Sequence, residues 1–287
     1  MHIERNVEFG MYSGLALLMD VHHPENPNGC GVLCVAGSGW HAPLDWDAVG
    51  QKENQIRIWA PPLLRAGYTV FAVNHRAAPR FRYPAAIEDV QRAIRFIRLH
   101  AGDFGIDPAR LGAVGGSSGG HLVCLAAMLG APGTAGHRDP VNREPATLRC
   151  IVARAAPTDL RRMVADADEE GKGYVVSFMG EPPDIAGPRA GIYEEASPIS
   201  HVSRSCPPVL LIHGDADRTV PYQQSLAMEA ALRASGATVR MVGIPGGAHG
   251  PDFGADGKPL PGWPDYLGEM VSWFDRHARL QPSGAGE

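Results

Sequence analysis

The chain has 287 residues, of which 44% are hydrophobic and 20% are charged, and its formal net charge is −5. These proportions are typical of a folded globular protein and exclude extended disorder. Because the chain is slightly acidic and has no long basic run, its charge pattern argues against a nucleic-acid partner and favours a small neutral molecule.

No apolar run reaches the roughly 18 to 20 residues that a membrane-spanning helix needs. The first residues also lack the apolar core of a signal peptide. We therefore expect a cytoplasmic protein with no membrane partner, although a chain from which a leader had been removed would look the same. The sequence does not determine the oligomeric state, and a homodimer stays open.

The five cysteines are scattered along the chain and fall mostly in apolar runs. Cys30 and Cys34 are spaced CxxxC but lack the matching second pair of a zinc site. We therefore expect reduced thiols in the core, with no metal ion and no other cofactor.

The N-terminal half predicts a hairpin followed by alternating strands and helices. Two short strands at 3–9 and 15–22, separated by a glycine-containing turn, predict the antiparallel hairpin. The alternation that follows is typical of βαβ units and a parallel sheet. Its elements are strands at 31–36 and 68–74 and helices at 56–65 and 85–101.

A glycine-rich bend, Gly37-Ser38-Gly39-Trp40, directly follows the strand at 31–36. Glycines at such a bend let backbone N–H groups approach a ligand oxygen without obstruction by side chains. The bend therefore fits an oxyanion loop, and it fits an ordinary tight turn equally well.

Residues 115–119 read Gly-Gly-Ser-Ser-Gly, a match to the GxSxG pattern of a nucleophile elbow. In that pattern the central serine occupies a turn between a strand and a helix that is too tight for side chains two positions away. The apolar runs at 111–114 and 121–129 supply the strand and the helix that the pattern requires. Ser117 is therefore the predicted nucleophile, provided that a base and an acid follow along the chain.

The C-terminal half contains one stretch that breaks the alternation, residues 157–205. This insert carries a charged run and several prolines and follows a predicted inner strand at 148–155. Ligands of open α/β sheets bind at the carboxyl ends of the strands, so the insert predicts a cap or lid over such a site. The remaining elements are strands at 207–213 and 238–244, helices at 222–234 and 263–280, and a flexible tail at 281–287. We interpret residues 1–280 as a single domain.

A serine hydroxyl needs a histidine to accept its proton, and that histidine needs an acid to fix its tautomer. In chain order, the loops after predicted strands offer Ser117, then Asp215 or Asp217, and then His249. Asp215 suits a turn-capping role. Asp217 lies where its side chain can reach the loop that carries His249, residues 245–250, which we call the histidine loop. We therefore favour Asp217 as the acid and expect His121, in the elbow helix, to be a packing residue.

Several stretches spread over nearly the whole chain resemble serine esterases of the α/β-hydrolase superfamily. The resemblance is greatest to hormone-sensitive-lipase-like esterases and to bacterial feruloyl-esterase-like (BD-FAE-like) hydrolases. The matching stretches are Val73-Asn74-His75-Arg76, Gly115-Gly116-Ser117-Ser118-Gly119-Gly120-His121-Leu122, Ala196-Ser197-Pro198, residues 213–221 and Gly247-Ala248-His249-Gly250.

The resemblance implies an α/β-hydrolase fold with a mostly parallel sheet of about eight strands flanked by helices. It also implies a metal-independent carboxylesterase. We predict small, short-acyl esters as its substrates, but the sequence does not determine the acyl or alcohol specificity. In such an enzyme Ser117, Asp217 and His249 would be the catalytic residues.

Backbone N–H groups of Ser38, Gly39 and Ser118 would form the oxyanion hole of such an esterase. These esterases commonly have His-Gly-Gly-Gly-Trp at this place, whereas here Ala36 replaces the histidine, which leaves the register of the donors open. We expect Trp40 to contribute to the substrate-binding wall.

Two other functions stay open at this point. An arylformamidase, amidase or small peptidase-like hydrolase would use the same three residues on an amide bond. A binding protein that kept the fold and lost turnover would belong to a different class, and the presence of all three residues argues against it.

Overall fold

The structure, a computed structural model, describes residues 2–43, 46–183, 189, 191–250 and 260–279. The predicted tail at 281–287 lies outside the described residues and stays a prediction. Within the described part of the chain, no helix has the length and apolar character that crossing a membrane requires.

The strands of the described residues form one eight-stranded sheet. They are β1 (His2–Tyr12), β2 (Leu15–His23), β3 (Gly31–Val35), β4 (Thr69–Val73), β5 (Leu111–Gly116), β6 (Ile151–Arg154), β7 (Val209–Gly214) and β8 (Val239–Ile244). Their order across the sheet is β1-β2-β4-β3-β5-β6-β7-β8. The pairings of β2 with β1 and β4 are antiparallel, and all the others are parallel. This sheet confirms the predicted α/β-hydrolase fold.

Helices cover both faces of the sheet. They are α1 (Ile56–Arg65), α2 (Ala85–Leu99), α3 (Ser118–Leu129), α4 (Leu160–Asp166), α5 (Glu169–Met179), α6 (Ile192–Ala196), α7 (Gln223–Ser235) and α8 (Tyr266–His277). In β3, Val32 and Cys34 pack with α1 and α8, whereas Leu33 and Val35 pack with α2 and α3. Because alternate side chains of a strand point to opposite faces, a strand covered on both faces is apolar throughout.

The boundaries of most elements differ from the sequence prediction by one to three residues, and three of the differences have a local physical cause. Helix α3 begins at Ser118 rather than at 121, because small residues that show no helical periodicity already form its first turn. Strand β6 is shorter than 148–155, since its ladder with β5 begins at Ile151. Helix α8 begins at Tyr266 rather than at 263, because the Asp265 side chain accepts the Gly268 N–H and caps the helix there.

The insert at 157–205 contains α4, α5 and α6. Its α5 lies against the bend that follows β3: the Tyr174 ring lies against Gly39, and the Phe178 ring stacks on Trp40 with centroids 4.7 Å apart. The insert therefore contacts the segment predicted to bind an oxyanion, as a cap would.

Candidate active site

Ser117 lies on the turn between β5 and α3 in a strained backbone conformation. Its φ is 52° and its ψ is −125°, a region that costs a non-glycine residue about 1–3 kcal/mol. A Cβ on Gly115 would overlap the Gly119 carbonyl oxygen, and a Cβ on Gly119 would overlap the Val35 carbonyl oxygen. The two outer glycines of the GxSxG pattern are therefore required by close packing of backbone on backbone.

The structure brings Ser117, His249 and Asp217 together in one hydrogen-bonded chain. His249 Nε2 lies 2.9 Å from Ser117 Oγ, and His249 Nδ1 lies 2.8 Å from Asp217 Oδ2. These residues follow β5, β8 and β7, whose carboxyl ends lie at the same edge of the sheet. A carboxylate only accepts hydrogen bonds, so Nδ1 carries the proton and Nε2 is free to accept the serine proton.

Asp217 is buried, with its side chain 0% exposed. Its Oδ1 accepts the Val220 N–H at 2.9 Å, and its Oδ2 is 3.2 Å from His213 Nε2 as well as bonded to His249. Burial alone would raise the pKa of Asp217, but the hydrogen bonds from His213 and His249 outweigh burial and hold the pKa well below its usual range. The carboxylate is therefore ionised near neutral pH and can stabilise a histidine that gains a proton.

Asp215, the alternative acid, lies elsewhere in the same loop. Its Oδ1 accepts the Gly246 N–H at 2.7 Å, which ties the loop after β7 to the loop after β8. Asp215 therefore helps to fix the backbone that leads to His249, and the structure brings Asp217 rather than Asp215 to the imidazole.

The bend after β3 forms a tight turn beside Ser118. His41 N donates to Ser38 O at 3.1 Å, and both central residues have positive φ, 61° at Gly39 and 59° at Trp40. Ser38 N–H donates to Ser118 Oγ at 2.9 Å. No acceptor among the described residues engages the N–H of Gly39 or of Ser118. Two of the three predicted oxyanion donors are thus available, and the third is bonded to a side chain of the elbow helix.

Trp40, the predicted wall of the substrate site, is buried, and its role toward a substrate stays a prediction. Its side chain is 1% exposed, its ring stacks on Phe178, and its indole N–H donates to His121 Nδ1 at 3.0 Å. His121 Nε2 in turn donates to Ala196 O at 2.8 Å. His121 is therefore a packing residue that also links the bend after β3 to the elbow helix and the insert.

Sequence reasoning missed several polar residues that hold the site. Gln55 Oε1 accepts the Gly37 N–H at 3.0 Å, and Asn54 Nδ2 donates to Gly37 O at 2.7 Å. His213 bonds Asp217, and Arg154 donates to the backbone of the histidine loop. The sequence signal that could have identified His213 and Arg154 is a polar or charged side chain within an otherwise apolar strand.

No group of three or more histidine, cysteine, aspartate and glutamate side chains in the described part of the chain is arranged to hold a metal ion. The polar groups that converge at the carboxyl edge of the sheet suit proton transfer and attack on a carbonyl.

The sheet order and the strained serine turn define the chain as an α/β-hydrolase. The BD-FAE family model matches residues 19–232. That match covers well over half of the chain, which therefore belongs to the BD-FAE family.

Individual relatives agree with this assignment. The chain is 34% identical to esterase LipQ of Mycobacterium tuberculosis over 231 residues, covering 78% of this chain and 51% of LipQ. It is 30% identical to ethyl acetate hydrolase of Pseudomonas putida over 224 residues, covering 74% of this chain and 64% of the relative. The chain thus spans about half to two thirds of the length of these curated relatives.

A solved structure described as a truncated carbohydrate esterase from gut microbiota superposes with a TM-score of 0.76 at 26% identity. The superposition covers 97% of this chain and 96% of that one. The similarity therefore extends over nearly the whole chain.

Proposed function

We propose that the chain is a carboxylesterase that hydrolyses small esters through an acyl-enzyme on Ser117. The observation that carries the proposal is the hydrogen-bonded chain from Ser117 Oγ through His249 to Asp217 at the end of a strained elbow. The esterase relatives support the same reaction class.

In the proposed reaction, Ser117 Oγ attacks the ester carbonyl carbon while its proton passes to His249 Nε2. Asp217 stabilises the resulting imidazolium through its bond to Nδ1. His249 then gives the proton to the leaving alcohol as the carbon–oxygen bond breaks, which leaves Ser117 acylated. A water molecule repeats the sequence with His249 as base and releases the carboxylic acid.

The tetrahedral intermediate places a negative charge on the former carbonyl oxygen. We infer that the N–H groups of Gly39 and Ser118 bind this oxygen, with the positive end of the α3 dipole behind it. The Ser38 N–H becomes a third oxyanion donor when the Ser118 hydroxyl rotates away and the hydrogen bond between Ser38 N and Ser118 Oγ breaks. Each such donor contributes about two to three decades of rate in comparable sites.

We further propose that the enzyme prefers short acyl groups. This preference comes from the resemblance to a relative named for its action on ethyl acetate. A series of p-nitrophenyl esters from acetate to octanoate measures it: kcat/KM is expected to fall as the acyl chain lengthens. A kcat/KM that stays constant or rises with acyl length would contradict the preference for short acyl groups but not the proposed reaction class.

The reaction class is tested with Ser117→Ala on p-nitrophenyl acetate. The variant is expected to lose about four or more decades of kcat, because no other group forms the acyl-enzyme. Ser205→Ala, at an exposed serine outside the site, is the matched control and should keep wild-type activity. A fluorophosphonate should add one adduct to the wild type and none to Ser117→Ala. Near wild-type turnover by Ser117→Ala would refute the proposal.

The amide-cleaving alternative calls for a separate measurement. Steady-state kinetics on p-nitrophenyl acetate and on the matched anilide compare the two bond types directly. A carboxylesterase should favour the ester by a margin much larger than the uncatalysed difference in reactivity, and a higher kcat/KM on the anilide would identify an amidase instead.

A further inference from the structure

Arg154 lies at the carboxyl end of β6, between the strand that leads to Ser117 and the strand that leads to Asp217. The residue is only 5% exposed. Burying a guanidinium is costly unless hydrogen bonds compensate the charge. A buried arginine at this edge therefore needs acceptors nearby, and their identity indicates what the residue does.

Two of its acceptors are backbone carbonyl oxygens of the histidine loop. Arg154 Nη1 donates to His249 O at 3.2 Å, and Nη2 donates to Gly250 O at 2.6 Å. The main-chain carbonyl of Arg154 accepts the Ser117 N–H at 2.8 Å. One residue thus holds the backbone of the nucleophile with its main chain and the backbone of the base with its side chain.

The remainder of the histidine loop is held further from the imidazole. The other described backbone bonds of this loop involve Gly247, whose N–H donates to Ile244 O and whose carbonyl accepts the Ala216 N–H, and Gly246, whose N–H donates to Asp215. Within the described residues, the hydrogen bonds to the backbone of His249 and Gly250 come from Arg154.

The His249 side chain is 27% exposed, so dense packing does not fix its position. Charge-assisted hydrogen bonds from a planar guanidinium are stronger and more directional than neutral ones. The two Arg154 bonds therefore restrict the position of the loop and the distance between the imidazole and the serine hydroxyl.

We propose that Arg154 is a positioning residue that holds the His249 loop so that the imidazole lies between Ser117 and Asp217. The inference rests on the proposed function. It predicts that loss of the guanidinium impairs catalysis by the assembled site while substrate binding changes little.

The test compares Arg154→Met, Arg154→Lys and Arg154→Ala with wild type on p-nitrophenyl acetate. Arg154→Met is expected to lower kcat about 10- to 100-fold, the scale of an ångström-sized displacement of a catalytic group, with KM changed less than threefold. Arg154→Lys keeps a cation that can reach one carbonyl, so its kcat should lie between those of Arg154→Met and wild type. The control is Arg233→Met, at an exposed arginine of α7 paired with Glu229, which should keep wild-type kcat.

Added guanidinium chloride distinguishes positioning from general destabilisation. At a non-denaturing concentration it should restore part of the lost kcat of Arg154→Ala by occupying the vacated space, whereas sodium chloride and urea at the same concentration should not. Thermal unfolding of each variant identifies any that does not fold. If Arg154→Met fails to fold, Arg154→Lys carries the test, and a wild-type kcat in that variant overturns the inference.

The inference and the proposed function fail in different ways. Activity that survives Ser117→Ala would refute the proposed function. An inactive Ser117→Ala together with a folded Arg154→Met of wild-type kcat would refute the role of Arg154 alone. Equal loss of activity in Arg154→Met and Arg154→Lys without rescue by guanidinium would also overturn the inference.

Discussion

Acid pH is expected to destabilise the protein through His121, a histidine that is fully buried between α3, the bend after β3 and α6. Its Nδ1 accepts the Trp40 indole N–H, and its Nε2–H donates to the Ala196 carbonyl. A second proton would have to sit on Nδ1, where it would face the Trp40 N–H. Burial, offset in part by the bond to Ala196, lowers the pKa of His121 from 6.5 to about 4.

The sign and size of the effect follow from these values. The folded protein holds His121 neutral while the unfolded chain takes up a proton at the ordinary pKa, so the stabilisation is complete above pH 6.5 and is lost as pH falls. Between pH 7.5 and pH 5.0 the loss is about 2 kcal/mol, and it reaches about 3 kcal/mol below pH 4.

Urea unfolding followed by tryptophan fluorescence, at pH 7.5 and at pH 5.0, measures this loss for wild type and for His121→Gln. Glutamine can donate and accept hydrogen bonds but does not titrate, so the variant should lose about 2 kcal/mol less than wild type between the two pH values. The other histidines whose pKa is lowered, His22, His75 and His277, titrate in both proteins and cancel in the comparison. An equal loss in both proteins would refute the reasoning, whatever the stability of the variant at pH 7.5.

Three further predictions concern the site and the elbow. Asp217→Asn should lower kcat on p-nitrophenyl acetate by about four decades, because an amide does not hold the imidazole tautomer; a loss below tenfold would argue against Asp217 as the acid. Ser118→Ala should release the Ser38 N–H for the oxyanion and raise kcat/KM a few-fold, the equivalent of about 1 kcal/mol; a fall of more than tenfold would mean that the Ser118 hydroxyl is itself needed. Gly119→Ala should destabilise by about 2 kcal/mol or more in thermal unfolding, because its Cβ would overlap backbone of β3. Gly173→Ala, whose Cβ meets nothing within 4 Å in α5, should be neutral or stabilising, and a similar Tm for both glycine variants would contradict the packing explanation.

Much of the architecture could be predicted from local sequence patterns. Alternating apolar strands and amphipathic helices predicted a parallel sheet, and the hairpin before it predicted the antiparallel edge. The errors fall at the ends of elements. Helix α3 begins with Ser118, Gly119 and Gly120, residues of low helix propensity that are helical because the elbow packs them against neighbouring backbone.

The order of Ser117, Asp217 and His249 along the chain was sufficient to predict that their side chains meet. Parallel strands end at one edge of a sheet, so residues that directly follow such strands converge even when more than a hundred positions separate them. The order of residues does not distinguish Asp215 from Asp217, because both lie in one short loop and only the path of that loop decides which carboxylate reaches the imidazole.

The sequence by itself determined the fold class, the elbow and the candidate catalytic residues, because these depend on periodicity and on residues with distinctive backbone requirements. Only the tertiary structure decided that Trp40 is buried against His121, that Ser38 N–H is bonded to Ser118, and that Arg154 reaches the histidine loop. Each of these contacts joins segments at least 80 positions apart. Whether a side chain contacts a segment so distant in sequence depends on how the sheet and helices pack together. A local sequence pattern therefore does not predict such a contact.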